Sequence, residues 1–413
     1  MHSIGPKTAS LLIFLAACSG GGDSGVAEAV TRDSAGVAIT EYPADAWEHA
    51  PVWAVDTTPL ATIGGDDESV DLTNSQVGTL LSDGRVIAAS MQPPQVYVFN
   101  TDGTQQGTLG RSGEGPGEYR FLSRIMALGG DSVAGYDLFS RRALLFDVDG
   151  ESLGFIEFPM TGVPIPPILT GRLADGTWLF QVTNPMEEPP EGTTGVYRMS
   201  TPVLTWREGA EAYDTVFTSK GPMLIQGTVG FGGQTATVGR GVGFGANSFV
   251  DGSGDLIWAT TSEQFIVDGH SADGALRRSI RVNLPERQIT EEDKEAYRET
   301  MRDALRRVAS MAPPELIQSE IDKVDEMPFA PRHPAIGQML IDRQGRVWVT
   351  TNTPMVDSVA VWGVFDPDGT LLGKLTLPAG NLYAASGDRI VVRIEDKETG
   401  LVRLEVLGIR RET

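Results

Sequence analysis

The chain has 413 residues, 40% of them hydrophobic, and carries a formal net charge of −22 at pH 7. That apolar share belongs to a folded protein with a sizeable core and excludes a disordered chain. A surface of that sign repels phosphate backbones, which excludes nucleic acid as a partner.

Lys7 precedes an apolar run over residues 11–17, and the only cysteine, Cys18, closes it. The run falls short of the roughly 20 apolar residues of a membrane span and suits the core of a secretory signal. Leu15-Ala16-Ala17-Cys18 resembles a bacterial lipobox. The resemblance implies removal of a signal peptide at 1–17 and lipidation of Cys18, so the membrane is reached through a lipid anchor. Ser19 stands where an aspartate would favour inner-membrane retention, and the expectation is the outer membrane, with the domain periplasmic or surface-exposed. Residues 18–34 read as the lipidated cysteine and a tether, of which the Gly/Ser-rich part at 19–25 reaches roughly 15 Å.

Glycine (49) and proline (25) are plentiful, and short β-branched and aromatic runs alternate with Asp-Gly pairs, the composition of many short strands. The chain repeats a unit of strand, Asp-Gly turn, strand, loop, strand, Asp-Gly turn, strand. In the first copy Asp83-Gly84 and Asp102-Gly103 separate strands predicted at 77–81, 86–90, 96–100 and 106–110. In the second the strands fall at 124–128, 133–136, 143–147 and 152–158. Gly103 and Gly150 stand 47 residues apart, a spacing within the range of four-stranded propeller blades. A degenerate third copy has strands at 177–182 and 195–200 and leaves its outer strand open within 203–217. Fourth, fifth and sixth copies follow at 256–282, 347–366 and 389–406, and the sixth ends one strand short. Residues 60–64, Leu-Ala-Thr-Ile-Gly, resemble the outer strand Gly-Thr-Leu-Gly at 107–110 and are predicted to complete it. The expected fold is all-β: a six-bladed β-propeller over 35–413, monomeric, closed by the N-terminal strand so that no long sheet edge is left open.

Two segments interrupt the repeat. Residues 227–247 hold eight glycines without a following Gly-Lys-Ser/Thr, which reads as a structural loop rather than a nucleotide cradle. Residues 290–324 read as a helical insertion: Thr290 and Asp293 form a cap, Tyr297, Met301, Ala304, Leu305 and Val308 make one apolar stripe, and Pro314 opens a second helix.

In such a blade the first and third connections share one face, here the short Asp-Gly turns, and every long connection lies on the other, where function is expected. The crossover at 111–121 is the most distinctive, since Gly113, Gly115, Pro116 and Gly117 can aim Arg111, Glu114, Glu118 and Tyr119 over the ring. With Arg124, Asp137 and Arg141 these are the candidate ligand-binding residues. The alternative is that Glu118 and the arginines pair with each other and lock the loop between blades. His49, His270 and His333 are poorly placed for a zinc site, and no Gly-x-Ser-x-Gly elbow occurs.

The tract Gly-Arg-Ser-Gly-Glu-Gly-Pro-Gly-Glu-Tyr at 110–119, with Leu-Ser-Asp-Gly-Arg-Val-Ile at 81–87, Val-Phe-Asn-Thr-Asp-Gly at 98–103 and Phe-Asp-Pro-Asp-Gly at 365–369, resembles the bacterial six-bladed β-propeller lipoproteins with NHL-like repeats. The resemblance spans roughly residues 35–410 and implies a fold and a compartment, with no reaction. The leading expectation is a non-catalytic, envelope-anchored propeller that binds a glycan, peptide or protein through its long-loop face, with no cofactor. A second reading is a calcium-dependent hydrolase or lactonase using Glu114, Glu118 and Asp137 as oxygen donors, and a third is a structural spacer.

Overall fold

Five Asp-Gly pairs of the repeat do the same local work. Asp83, Asp102, Asp175, Asp273 and Asp368 each accept, through Oδ1, the backbone N–H two residues on, at 2.8–3.2 Å. The following glycine takes a positive φ, as at Gly84 (94°) and Gly103 (88°), a region closed to most side chains. Two antiparallel strands leave every such turn. The computed structural model describes residues 28–411 except 66–69, 73–74, 92, 116, 130–131, 184–192, 194, 232–233, 308–313, 352–358, 379–380 and 397–398. The signal segment 1–17 and Cys18 lie outside the described residues.

The turns build six four-stranded antiparallel blades. Blade 1 comprises Ser75–Leu80, Val86–Met91, Pro94–Phe99 and Gln105–Leu109. Blade 2 comprises Leu122–Ala127, Ser132–Asp137, Arg142–Asp147 and Ser152–Glu157. Blade 3 comprises Ile168–Arg172, Trp178–Gln181, Val196–Trp206 and Asp214–Phe231. Phe249–Ser253, Leu256–Thr260, Ile266–His270 and Leu276–Asn283 form blade 4, and Gln338–Ile341, Val347–Thr350, Val359–Phe365 and Leu371–Pro378 form blade 5. Blade 6 takes Asn381–Ser386, Arg389–Glu395 and Val402–Arg411 from the C-terminal end and Ala61–Gly64 from the N-terminal end. The closing strand pairs Ala61 with Val406, Thr62 with Glu405, Ile63 with Leu404 and Gly64 with Arg403, as its likeness to residues 107–110 predicts. Side chains alternate across each strand, so the core lies between neighbouring blades. Ile63, Leu80, Phe99, Val391 and Leu404, for example, join blade 6 to blade 1.

The N-terminal segment does more than close the ring. The predicted tether runs to residue 34, but Val30–Ser34 already pairs with Val37–Pro43 through a turn at Ala35-Gly36, both with positive φ. The second of these strands lies parallel to the outer strand of blade 4, Ala38 against Arg278 through Pro43 against Asn283. The chain then crosses the rim of blade 5. Tyr42 Oη donates to the Gly369 carbonyl at 2.9 Å and accepts from Leu371 N–H at 2.7 Å, and the Trp47 ring lies 5.2 Å from Phe265 and 6.3 Å from Phe365. Trp53–Val55 finally pairs with residues 409–411 of blade 6. A strap therefore ties blades 4, 5 and 6.

The glycine-rich stretch is a strand pair rather than a loop. Asp214–Phe231 continues past its blade and pairs with Gln234–Gly241, Leu224 opposite Gly241 and Phe231 opposite Gln234. The glycines leave room for long neighbours: a Cβ on Gly227 would stand 2.3 Å from Arg240 Cδ, and one on Gly239 2.5 Å from Leu224 Cδ1. Helices Glu291–Arg307 and Pro314–Asp322 occupy the predicted insertion. Thr290 and Asp293 form the expected cap, the threonine N–H and hydroxyl donating to Asp293 Oδ2 and its oxygen accepting Asp293 N–H. Burial raises the Asp293 carboxyl, but the bonds from Thr290 and His333 outweigh it and leave it at about 2. Arg287 donates to His333 Nδ1 at 2.9 Å, so the ring proton sits on Nε2, 3.2 Å from Asp293 Oδ2. Phe244 just after the hairpin, Tyr297 of the first helix and Phe329 beyond the second pack on one another, and Arg240 of the hairpin pairs with Glu320 of the second helix at 3.3 Å.

Ile63→Ala should lower unfolding free energy by about 2–5 kcal/mol, because the side chain is 1% exposed inside the closure cluster. A denaturant titration of the variant against wild type reads that loss directly.

Candidate functional site

The first strand of every blade is the inner one, and the six inner strands meet around the axis. Blades 3 and 4 touch backbone to backbone: Gly171 bridges Gly252 in parallel, and a Cβ on Gly171 would stand 2.6 Å from Gly252 N. A cavity of about 230 Å³ lies on this axis and draws lining from all six strands. Thr79, Arg124, Arg172, Asp251, Arg343 and Tyr383 are among its polar members, contributed by blades 1 to 6 in turn. Most of the lining falls in the second halves of the inner strands or just beyond them, so the cavity occupies the half of the channel nearer the Asp-Gly turns.

Arg124 spans three blades at the inner end of this space. Its Nη2 donates to the Thr170 carbonyl at 3.0 Å and to the two Asp251 carboxylate oxygens at 3.4 and 3.3 Å. Burial pushes the Asp251 carboxyl up, against the opposing pull of Arg124 and of the Gly252 and Ile341 N–H groups. The pair offers a ligand a cation that is 36% exposed and a carboxyl that can hold a proton more readily than an ordinary aspartate. Across the channel Tyr383 lies over Gly78, its hydroxyl 2.7 Å from Ser75 Oγ, and burial pushes that hydroxyl up to about 12 despite bonds from Ser75 and Ala89. Asp342 is occupied elsewhere, accepting from Arg346 Nε at 2.6 Å and Trp348 Nε1 at 2.8 Å.

Of the seven residues the sequence singles out for ligand binding, Arg124 lines the cavity and the other six lie in or beside the blade 1–blade 2 junction. Arg111 Nε donates to Glu118 Oε1 at 2.6 Å, and Glu118 Oε2 accepts Gly115 N–H at 2.7 Å. Those bonds, the backbone one first, hold the Glu118 carboxyl below its usual range. Residues 111–112 and 118–119 also pair as short parallel strands. Glu114 faces Arg120 at 3.3 Å on the surface. The Tyr119 ring is buried against Gly135 and Phe146, and burial raises its hydroxyl. Asp137 is buried and accepts the N–H groups of Arg120, Phe121, Phe139 and Ser140. Arg141 takes φ 53° in that same turn, and its carbonyl accepts Phe158 N–H.

Glu114, Glu118 and Asp137 thus each hold a separate protein partner, and among the described residues no group of three or more His, Cys, Asp or Glu side chains could hold a metal ion. The three histidines of the described residues sit in unrelated settings: His49 Nδ1 lies 2.8 Å from the Asp45 carbonyl, His270 stacks on Phe217 at 4.2 Å, and His333 belongs to the helix cap. A larger depression of about 660 Å³ beside Pro314–Asp322 is open and lined by surface groups that pair locally, Gln318 with Asp322 and Lys323 with Glu320. Among the described residues no helix is long and apolar enough to cross a membrane.

Arg124→Met should destabilise the fold by roughly 3 kcal/mol at neutral pH, the low end for breaking a buried pair because the arginine is partly exposed. Asp251 already has a raised carboxyl in the folded state, and losing its cation raises it further. The penalty is therefore fully present above the variant's folded titration point and shrinks as pH falls through it toward the wild-type folded one, which lies above the unfolded value. Urea unfolding at pH 7 and pH 5 should show the smaller difference at pH 5.

Among known proteins, the family DUF5128, described as a 6-bladed beta-propeller, matches residues 74–197, which cover blades 1 and 2 and the inner half of blade 3. Comparison with curated proteins returns no match. Similar solved structures include a candidate exported protein of Bacteroides fragilis (13% identity, 91% of this chain and 100% of that one, TM-score 0.47). A DUF4221 family member from Bacteroides vulgatus follows (8%, 87% and 98%, TM-score 0.48), as does a gluconolactonase from Xanthomonas campestris (12%, 87% and 97%, TM-score 0.41). The chain is a six-bladed β-propeller whose first blades match the DUF5128 family.

Proposed function

We propose that the protein is an envelope-anchored binding propeller that takes the end of an extended glycan or peptide into its central channel, where Arg124 and Asp251 make the polar contact. The observation that carries this reading is the axial cavity to which all six blades contribute and in which that pair stands. At about 230 Å³ it is smaller than the roughly 300 Å³ at which sites for whole small molecules begin, so it suits a terminal group whose remainder lies outside. Rigid strands hold the pair, which favours recognition over motion. Arg111, Glu114, Glu118 and Asp137 serve in this reading as the clamp between blades 1 and 2. The lipid on Cys18 keeps the propeller at the outer membrane.

A second reading, a protein partner on the long-loop face, is favoured by exposed apolar side chains there. Phe139, Met160, Ile168 and Val196, all in blades 2 and 3, are 42–56% exposed at strand ends or in loops of that face.

Thermal unfolding of the purified mature protein with envelope glycan fragments and peptides tests the main reading. A bound fragment at 100 times its Kd adds about 2.7 kcal/mol of stability, and Arg124→Met should abolish the shift. A shift that survives in the variant removes the channel assignment. In cells, Cys18→Ser should move the protein from the membrane to the soluble fraction, and continued membrane association would refute the anchor.

A further inference from the structure

The end of the channel nearer the Asp-Gly turns holds two arginines, each with a buried guanidinium N–H that no protein acceptor meets. Arg172 ends the inner strand of blade 3; its head lies 5.1 Å from the Trp178 ring, and its Nε is buried without a protein acceptor. Arg343 follows the inner strand of blade 5, and its Nη1 is buried in the same condition. Both line the axial cavity. Neighbouring cations on that face are answered: Arg85 by Asp83, Arg207 by Asp175, and Arg346 by Asp342 and the Gly387 carbonyl. The carboxylates of the lining are also taken, Asp251 by Arg124 and Asp342 by Arg346 and Trp348. Three arginines against two engaged aspartates make this a local reversal of sign in a chain of net charge −22. Buried donors are almost always satisfied in folded proteins, and a guanidinium fork matches the paired oxygens of a carboxylate or phosphate.

We propose that the cavity is an anion site in which Arg172 and Arg343 receive a carboxylate or phosphate terminus of the ligand near the Asp-Gly-turn face, with Arg124 behind them. This rests on the reading of the channel as the binding site. It adds the sign of the ligand and its side of entry.

Calorimetric titration of the full mature protein with inorganic phosphate, galacturonate and, as the neutral counterpart, galactose tests it. Galacturonate or phosphate should bind saturably and galactose at least tenfold more weakly, and the preferred anion identifies the source as carboxylate or phosphate. Arg172→Gln and Arg343→Gln should each weaken the anion tenfold or more, and Arg343→Lys should recover part of the loss. Without ligand Arg343→Gln should melt at or above the wild-type temperature, since it removes an unanswered buried cationic donor; a merely structural arginine would lower it. Anion binding that is absent in wild type, unchanged in both glutamine variants, or matched by galactose overturns the proposal. A neutral fragment lost in Arg124→Met but kept in Arg343→Gln would overturn the anion site and leave the channel reading standing, whereas fragments indifferent to Arg124 would defeat the channel reading itself.

Discussion

The pairing of residues 61–64 with residues 403–406 is the constraint on which the rest of the molecule depends. Blade 6 otherwise has three strands and an open edge, and an open edge both invites foreign strands and leaves the core beside it half covered. Ile63 and Leu404 meet across this pairing and share a cluster with Leu80 and Phe99, so the closing strand completes the contact that Tyr383 and Val391 of the last blade also make with the first. Each inner strand is positioned by neighbours on both sides. A gap anywhere would widen the axis and separate Arg124 from Asp251, which belong to different blades with a third between them.

Close approach and polarity in the channel are two results of the same small residues. Gly171 and Gly252 let blades 3 and 4 touch backbone to backbone, and that contact puts Thr170 and Asp251 within reach of one side chain from blade 2. Gly78 likewise leaves a place for the Tyr383 ring. Larger residues at these positions would clash and push the inner strands apart. The axis is therefore narrow where glycines let its inner strands and the Tyr383 ring close in, and polar because a narrow axis leaves side chains of several blades to answer one another.

Much of this architecture was legible in the sequence, because it rests on local rules. An aspartate that accepts the N–H two residues ahead, followed by a glycine with positive φ, marks a turn wherever it occurs, and its recurrence along the chain reveals the repeat. The closing strand was legible through its likeness to another outer strand. The helix cap at Thr290 and Asp293 followed from spacing alone. Non-local features were hidden. Asp251-Gly252 looks like one more turn, yet it lies inside a strand, and only the neighbouring blades reveal its carboxyl as part of the channel. Arg172 and Arg343 adjoin ordinary turns, and nothing local says that their heads lack acceptors. The glycines of 227–241 imitate a loop because the side chains that fill their spaces, Arg240 and Leu224, come from the opposite strand.

The strap over blades 4 to 6 also sets an order of mechanical failure. Tension applied at the N-terminal end first meets the hairpin of Val30–Ser34 and Val37–Pro43, whose outer strand is exposed along its whole length. That hairpin can peel from the rim one bond at a time, followed by the contacts of Tyr42, Trp47 and Trp53, before any force reaches residues 61–64. The rim thus works as a fuse: a pulled molecule lengthens by the span of its strap while the ring, and the channel inside it, stay shut.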